Sequence, residues 1–198
     1  MKSSQKSDFE KSGWNIDTIK VNNLKLIRGK SELETKGLMT IDGKIIFAGD
    51  NYVSCQYFDI NNDGYDDIRV YRLEEDSTKC LSLFFDFKRK EFTLISNVTK
   101  PFDLLQNDTY YTYASLGCDE WIWESILINI ENYKGQKLAK IYSDQCKGKE
   151  EGILTYKYQD EKEILDTILP YSDKAIQDFN NRFEFIKYYW NKKYGYGL

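Results

Sequence analysis

The sequence predicts a mainly β protein, an antiparallel β-sandwich or barrel-like meander with a C-terminal helix. Short runs of β-branched and aromatic residues recur between Trp14 and Pro170, and turn-forming residues separate them. Tyrosine (16) and phenylalanine (11) are abundant whereas proline is scarce (2), a composition typical of sheet surfaces. With 198 residues, the chain is long enough for one domain with a real core. We expect a flexible tether over residues 1–13 and a single β-rich domain over residues 14–198.

The predicted strands of the first half follow one another with recognisable turns between them. DTIKVNNLKLI is the first β-like run. LMTIDGKIIFAG is a hairpin with Asp42-Gly43 as its turn, because Asp-Gly accepts the positive φ angles that a tight hairpin needs. YVSCQYFDI and DIRVYRL lie on either side of an acidic loop, and CLSLFFDF and EFTLIS lie on either side of the turn KRK. Such regular spacing of short strands indicates an antiparallel sheet.

The second half continues the same pattern. WIWESILINIENYKGQKLAKIYS predicts a hairpin, because Ile126, Ile128 and Ile130 alternate with polar residues and Lys134-Gly135 supplies a turn. GILTYKY and EILDTIL then lie on either side of the polar turn QDEK. After the last strand, SDKAIQDFNNRFEFIKYYWNKK predicts a helix over residues 172–192 that packs on the sheet. Its N-cap is expected at Ser172, and its apolar face at Ile176, Phe179, Phe183 and Ile186.

Composition and charge exclude several functional classes. The chain has no histidine, which removes Ser-His-Asp and Cys-His catalysis and the zinc sites built on histidine. Its net charge of 28 − 32 = −4, with both signs mixed, disfavours a nucleic-acid-binding protein. No stretch approaches the ~20 apolar residues of a transmembrane helix. Carboxylate-based glycoside hydrolysis remains open, but we expect a protein that is not an enzyme.

The four cysteines suggest an oxidising compartment. None of them lies in a CxxC pair, which excludes a zinc ribbon. Two disulfides are the natural alternative, and Cys55–Cys80 and Cys118–Cys146 are favoured because each pair spans a strand-turn-strand region. Four free thiols in a cytosolic protein are the competing interpretation. If the protein is exported, this is a mature form, periplasmic or in the outer envelope. The signal, with or without a lipid-modified cysteine, has then been removed from it.

The segment FDINNDGYDD has the residue spacing of a calcium loop. Oxygen-bearing side chains fall at every second position in the pattern D-x-N-x-D-G-x-x-D, and alternate residues of a tightly curled loop turn their oxygens inward. Calcium prefers six to eight oxygen ligands in such a flexible arrangement. The predicted ligands of a structural Ca²⁺ are Asp59, Asn61, Asp63, the carbonyl group of Tyr65, and Asp67.

This loop differs from an EF-hand. The twelfth position, where an EF-hand carries a bidentate Glu, is Val70, and the flanking segments are β-like. The sequence therefore predicts a calcium loop between strands, with modest affinity or a last ligand from elsewhere. A solvated Asn/Asp-rich turn without any metal is the alternative, since Asn-Asp-Gly is good turn chemistry.

The chain also resembles a family of bacterial envelope proteins. The resemblance lies in FDINNDGYDDIRVYR, LFFDFKRKEFTLIS, YASLGCDEW and a downstream YKY strand, roughly residues 40 to 165. Members of this family carry one such calcium loop and share a β-rich fold with periplasmic lysozyme inhibitors. Some are immunity proteins that protect their producer from peptidoglycan-cleaving effectors of contact-dependent secretion systems. The resemblance implies an extracytoplasmic protein that binds a peptidoglycan hydrolase or toxic effector and occludes its cleft with a loop.

SLGCDEW is the candidate inhibitory loop. The predicted partner-binding residues are Ser115, Leu116, Gly117, Asp119 and Glu120. An ordinary strand start, with Trp121 and Trp123 on one face as packing or exposed aromatics, is slightly favoured over any single functional interpretation. A retaining glycosidase pair is disfavoured, because adjacent side chains on a strand point to opposite faces and its carboxyl groups must lie ~5–5.5 Å apart.

The alternative function is glycan binding by an envelope or surface protein. Its stacking platforms would be tryptophans together with the tyrosines of TYYTYAS, namely Tyr110, Tyr111 and Tyr113.

Overall fold

The computed structural model describes residues 15–30, 36–49, 52–74, 77–117, 122–144, 152–170 and 181–195. The chain forms two compact units, Met1–Leu94 and Ile95–Leu198. The predicted fold class is confirmed: the described residues are mainly β, with antiparallel pairing between the named strands and a helix near the C-terminus. Two compact units can belong to one domain, so the single-domain prediction stays a prediction. The predicted tether lies outside the described residues.

The first unit consists of two four-stranded antiparallel sheets, each a meander in chain order. The strands of the first sheet are β1 (Asn15–Val21), β2 (Leu24–Lys30), β3 (Lys36–Thr40) and β4 (Ile45–Gly49). Those of the second are β5 (Tyr52–Phe58), β6 (Asp67–Glu74), β7 (Ser77–Asp86) and β8 (Glu91–Leu94). The two sheets share one core, as in a sandwich. Its fully buried members are Val21, Leu26 and Leu38 from one sheet and Ile68, Val70 and Leu83 from the other.

Tight turns define the strands of this unit. DTIKVNNLKLI, expected as one run, is a hairpin, because Asn22 and Asn23 adopt positive φ angles of 48° and 64° and Val21 pairs with Leu24. Asparagine tolerates this left-handed region better than most residues. The predicted turn at Asp42-Gly43 is confirmed by the N–H of Gly43, which donates to the carbonyl of Thr40 at 2.9 Å.

The described residues of the second unit form one wide antiparallel sheet with a helix packed on it. The strands are β9 (Phe102–Gln106), β10 (Thr109–Thr112), β11 (Ala114–Gly117), β12 (Ile122–Glu131), β13 (Lys134–Asp144), β14 (Ile153–Gln159) and β15 (Lys162–Leu169). The sheet has the order β15-β14-β13-β12-β10-β9, with the short strand β11 paired to β12. Its core joins residues of β12, β13 and β14 to the helix, at Trp123, Leu127, Ala139, Ile141, Ile153, Phe185, Ile186 and Trp190.

The β12–β13 turn lies two residues before its predicted position. Asn132 and Tyr133 form it, with φ angles of 50° and 61°, whereas the predicted turn residues Lys134 and Gly135 begin strand β13. Gly135 has a packing role instead: a Cβ atom there would lie 2.3 Å from Cγ2 of Val98. A glycine is therefore required at position 135, but the reason is the close approach of a neighbouring segment and not a turn.

Helix α1 (Arg182–Tyr194) confirms the predicted C-terminal helix but begins later. Its N-cap is Asn181, whose side-chain oxygen accepts from the N–H of Glu184 at 3.0 Å. The predicted cap Ser172 and the apolar residues Ile176 and Phe179 lie outside the described residues. The buried face consists of Phe185, Ile186 and Trp190, and Phe183, predicted as buried, is 54% exposed.

Trp190 anchors this helix to the sheet. Its side chain is fully buried, and its indole N–H donates to Oγ of Ser125 on β12 at 2.9 Å. Helix α1 has neither the length nor the apolar composition that crossing a membrane would require.

Candidate functional site

The predicted calcium loop connects β5 to β6. Phe58 pairs with Asp67, so the ladder closes the loop at its base. Two residues allow the chain to curl, Asn62 with a φ of 60° and Gly64 with a φ of 89°. A side chain at Gly64 would meet open space, so its requirement is conformational, as the sequence predicts.

The oxygen-bearing side chains of the loop turn back onto its own backbone. Asp59 accepts from the N–H of Asp63 through Oδ1 at 3.1 Å and from the N–H of Gly64 through Oδ2 at 2.8 Å. Oδ1 of Asn61 also accepts from the N–H of Asp63, at 3.1 Å. Oδ1 of Asp63 accepts from the N–H of Tyr65 at 2.9 Å. A carboxylate has about four lone-pair sites, so Asp59 and Asp63 each keep lone pairs that a cation could bind.

Asp67 occupies a different environment from the other loop acids. Its side chain is fully buried, and its two oxygens accept from the N–H groups of Ile60 at 2.9 Å and Phe85 at 2.8 Å. Burial, together with the charges of Asp63 and Asp59, raises the pKa of Asp67 to about 7, although the two hydrogen bonds lower it. Asp67 therefore connects the start of the loop to strand β7, a role that its spacing did not predict.

The donor chemistry of the loop fits a hard cation. Asp59 and Asp63 offer carboxylates, Asn61 an amide oxygen and Tyr65 a backbone carbonyl, the ligand types that Ca²⁺ prefers. Within the described ranges, no three Asp, Glu, Cys or His side chains gather as a metal-binding cluster. The residue types of the loop fit an oxygen-coordinated ion, whereas its carboxylates accept hydrogen bonds from backbone N–H groups in this structure, so the calcium site stays a prediction.

Two groups outside the loop hold its far end, and sequence reasoning missed both. The amide of Asn22, in the β1–β2 turn, donates to the carbonyl of Asp66 at 2.6 Å and accepts from its N–H at 2.7 Å. The ring of Tyr65 stacks on Phe87 with centroids 4.8 Å apart and planes 19° apart, and lies 5.7 Å from the ring of Phe85. Of these contacts, the sequence indicated only that an aromatic residue, Tyr65, follows Gly64.

The predicted inhibitory loop is partly described. Ser115, Leu116 and Gly117 belong to β11 and are exposed, with Leu116 47% exposed. Strand β11 pairs with β12 and has a register irregularity between Ser115 and Gly117, and Gly117, with a φ of 126°, has no atom near its Cβ position. These residues form an accessible strand at the surface of the second unit. Asp119 and Glu120 lie outside the described residues.

The aromatic residues of the glycan-binding alternative are largely core residues. Tyr110 and Trp123 are buried, at 1% and 7% exposure. Tyr111 and Tyr113 are partly buried and pack against the core of the second unit. Residues that fill a core have no free ring face on which a sugar could stack, so the structure gives this alternative no platform at Tyr110 or Trp123.

The predicted Cys55–Cys80 disulfide is wrong, since both cysteines are free. Cys55 on β5 pairs with Val70 of β6, and Cys80 on β7 pairs with Tyr71 of β6. Strand β6 thus separates them by two strand spacings, about 9.5 Å, and consecutive residues of β6 place them on opposite faces. A disulfide requires Cα atoms within about 7 Å. Burial raises the pKa of both thiols. Cys118 and Cys146 lie outside the described residues, so their pairing stays a prediction.

Comparison with known proteins identifies a fold relative. No family model matches the chain, and no curated protein matches it. Among solved structures, the chain is similar to a Xanthomonas type IV secretion system related protein, with a TM-score of 0.51 and 12% sequence identity. The match covers 77% of this chain and 93% of the other. At this identity the likeness concerns the fold.

Proposed function

We propose that the protein is an extracytoplasmic, calcium-stabilised binding protein of the immunity or lysozyme-inhibitor type. Its partner would be a peptidoglycan-cleaving hydrolase or toxic effector, and it would reside in the periplasm or outer envelope, with or without a lipid anchor. The observation that carries the proposal is the D-x-N-x-D-G-x-x-D loop, closed between two antiparallel strands with its oxygens gathered on its own backbone. The secretion-related fold relative is consistent with such a partner.

The calcium ion has a structural role in this proposal. Asp59, Asn61, Asp63 and the carbonyl of Tyr65 would hold it, with Asp67 beneath them. When bound, the ion supplies positive charge that offsets the repulsion between neighbouring carboxylates. The chain's own residues then keep the loop in one conformation and connect it to β7 through Asp67 and Phe85.

The partner-binding surface in this proposal begins at β11. Leu116 is exposed on this strand, and the residues on either side of it, Ser115 and Gly117, pair with β12. After Gly117 the sequence continues with Cys118, Asp119 and Glu120, so an apolar residue is followed in the sequence by two acids. This order suits insertion into a basic hydrolase cleft, because charge complementarity directs the encounter and apolar contact holds the complex.

Leu116→Ala tests the proposed surface, because it removes the apolar contact and leaves the charge unchanged. The assay measures the clearing of a peptidoglycan suspension by a hydrolase that is encoded beside the gene for this protein. We expect the wild-type protein to stop hydrolysis and Leu116→Ala to need about tenfold more protein for the same inhibition. Leu94→Ala is the matched control, because Leu94 is 48% exposed on β8 of the other unit.

Two results would contradict the proposal. One is equal inhibition by the wild-type protein and both variants, which would move the binding surface elsewhere. The other is no inhibition by the wild-type protein together with its retention on purified peptidoglycan, which would favour the glycan-binding alternative.

A further inference from the structure

We propose that Tyr65 and Phe87 form an aromatic brace that couples calcium binding in the loop to the order of the β7–β8 turn. The turn consists of residues 87–90, Phe-Lys-Arg-Lys. The inference rests on the proposed calcium site and adds a regulated element to it: a basic surface turn whose order depends on the ion. Phe87 then acts as a positioning residue, since it reaches the loop's oxygens through Tyr65.

The brace begins at a residue whose backbone belongs to the loop. The N–H of Tyr65 donates to Oδ1 of Asp63 at 2.9 Å, and its carbonyl is a proposed ligand of the ion. Its side chain leaves the loop and stacks on Phe87 at 4.8 Å. Any displacement of the Tyr65 backbone therefore moves both a proposed ligand and one ring of the stack.

A second connection reaches the same end of β7. Oδ1 of Asp67 accepts from the N–H of Phe85, and the ring of Phe85 lies 5.7 Å from Tyr65 and 5.1 Å from Phe92 of β8. The aromatic rings thus continue from the loop across β7 to β8. Rings at these separations attract one another beyond the effect of burial alone.

The turn itself has little packing of its own. Phe87 is 57% exposed, and Lys88, Arg89 and Lys90 are exposed as well. The carboxylate of Asp86 accepts from the N–H groups of Lys88 at 2.9 Å and Arg89 at 3.0 Å, which defines the first half of the turn. Arg89 also lies 3.5 Å from the carboxylate of Asp86 and 3.9 Å from that of Glu91. These contacts stay within the hairpin, whereas the stack of Phe87 on Tyr65 joins the turn to the loop.

Coupling of this kind is reciprocal. If the ion orders the turn through the brace, the ordered turn must favour ion binding by the same free energy. An aromatic pair predicts a modest effect, a two- to tenfold change in the calcium Kd, which equals about 0.4–1.4 kcal/mol. The turn also offers a direct measurement of its order, since trypsin cleaves after each of its three basic residues.

The experiment compares the full chain with Phe87→Ala, Phe87→Tyr and Phe183→Ala. Calorimetric titration with CaCl₂ gives the Kd, and limited trypsin digestion in calcium or chelator, with mass analysis of the fragments, gives the cleavage rate at the turn. We expect Phe87→Ala to bind calcium two- to tenfold more weakly and to lose calcium protection of the turn. Phe87→Tyr should retain both properties. Phe183 is the matched control, a 54% exposed ring that contacts Tyr113 in the second unit.

The outcomes separate this inference from the proposed function. Calcium binding by the wild-type protein with an unchanged Kd in Phe87→Ala would overturn the brace and leave the calcium site standing. An equal loss in Phe87→Ala and Phe183→Ala would also overturn it, because the effect would then be general. Absence of calcium binding by the wild-type protein would overturn the calcium site and the brace together.

Discussion

Asp67 differs from Asp59 and Asp63 because the chain surrounds it completely. A buried carboxylate without partners would cost several kcal/mol, and here two backbone N–H groups from different segments satisfy it. The raised pKa of Asp67 shows that burial outweighs those two hydrogen bonds. Asp59 and Asp63, in contrast, accept from the loop's own N–H groups. The acids of one motif therefore divide into those that shape the loop and one that fastens it to the sheet.

Asp63→Ala tests the calcium site at the scale of a single residue. With calcium at 100 times its Kd, binding stabilises the folded state by about 2.7 kcal/mol, which raises the Tm of the wild-type protein by about 5–10 °C relative to chelator. Asp63→Ala should lower the Tm in calcium and abolish this difference, because it removes a charged ligand and an acceptor of the Tyr65 N–H. Thermal unfolding by circular dichroism measures both. Asp66→Ala, which removes an adjacent exposed acid, should keep the wild-type difference. A chelator response in Asp63→Ala equal to that of the wild-type protein would refute the site.

The spacing of oxygen atoms was readable from the sequence, but their surroundings were not. D-x-N-x-D-G is a local pattern, and the loop follows it: Gly64 has the positive φ expected of it. The burial of Asp67 depends on Phe85, and the support of the loop end depends on Asn22, which is 44 residues away from Asp66. Contacts between distant segments leave no periodic signal in a single sequence.

Trp190 anchors helix α1 both by burial and by a hydrogen bond, beside the buried Phe185 and Ile186. Trp190 is fully buried and gives its indole N–H to Ser125. On the solvent side, Asp166 of β15 forms two ion pairs. Its Oδ2 lies 2.7 Å from Nζ of Lys193 on the helix, and its Oδ1 lies 2.7 Å from Nζ of Lys157 on β14. These ion pairs lower the pKa of Asp166 to about 2. They are open to solvent and screened by salt, so the indole is the principal anchor.

Trp190→Ala should cost about 3–5 kcal/mol of unfolding free energy, since it leaves a large cavity and an unpaired Ser125 hydroxyl. Urea denaturation followed by circular dichroism measures the change. Tyr188→Ala is the control on the same helix, because Tyr188 is 41% exposed and should change stability by less than about 0.5 kcal/mol. Similar losses in the two variants would show that the helix is not anchored through the indole.

Element types were easier to predict than element boundaries. Alternating apolar residues identified the strands, and Asp42-Gly43 located a turn, because both signals are local. The β12–β13 turn was misplaced because Gly135 is needed for packing against Val98, a requirement that looks like turn chemistry in the sequence. The start of helix α1 was misplaced because serine and asparagine are both acceptable N-caps, so the sequence did not single out Asn181.

At the scale of the whole molecule, the cysteines bear on the compartment. Because Cys55 and Cys80 are free, the prediction of an oxidising environment now depends on a disulfide between Cys118 and Cys146.

Mass spectrometry under non-reducing conditions decides this point. We expect an intact mass two hydrogens below the free-thiol value, which corresponds to one disulfide, Cys118–Cys146. After denaturation without reductant, alkylation should label Cys55 and Cys80. In the native protein their labelling should be slow, because burial raises the pKa of both thiols and shields them. A deficit of four hydrogens would contradict the separation of Cys55 and Cys80 by β6. A deficit of zero would contradict the export argument.

Among the described strands, each ladder in both units joins strands that are adjacent along the chain, except the ladder between β10 and β12, which passes over β11. Contact order is therefore low for a protein so rich in sheet, and each hairpin closes a short loop at small entropic cost. Folding can start at many turns at once and proceed by zipping of neighbours. We therefore expect refolding from urea to proceed hairpin by hairpin, before residues far apart in the sequence come into contact.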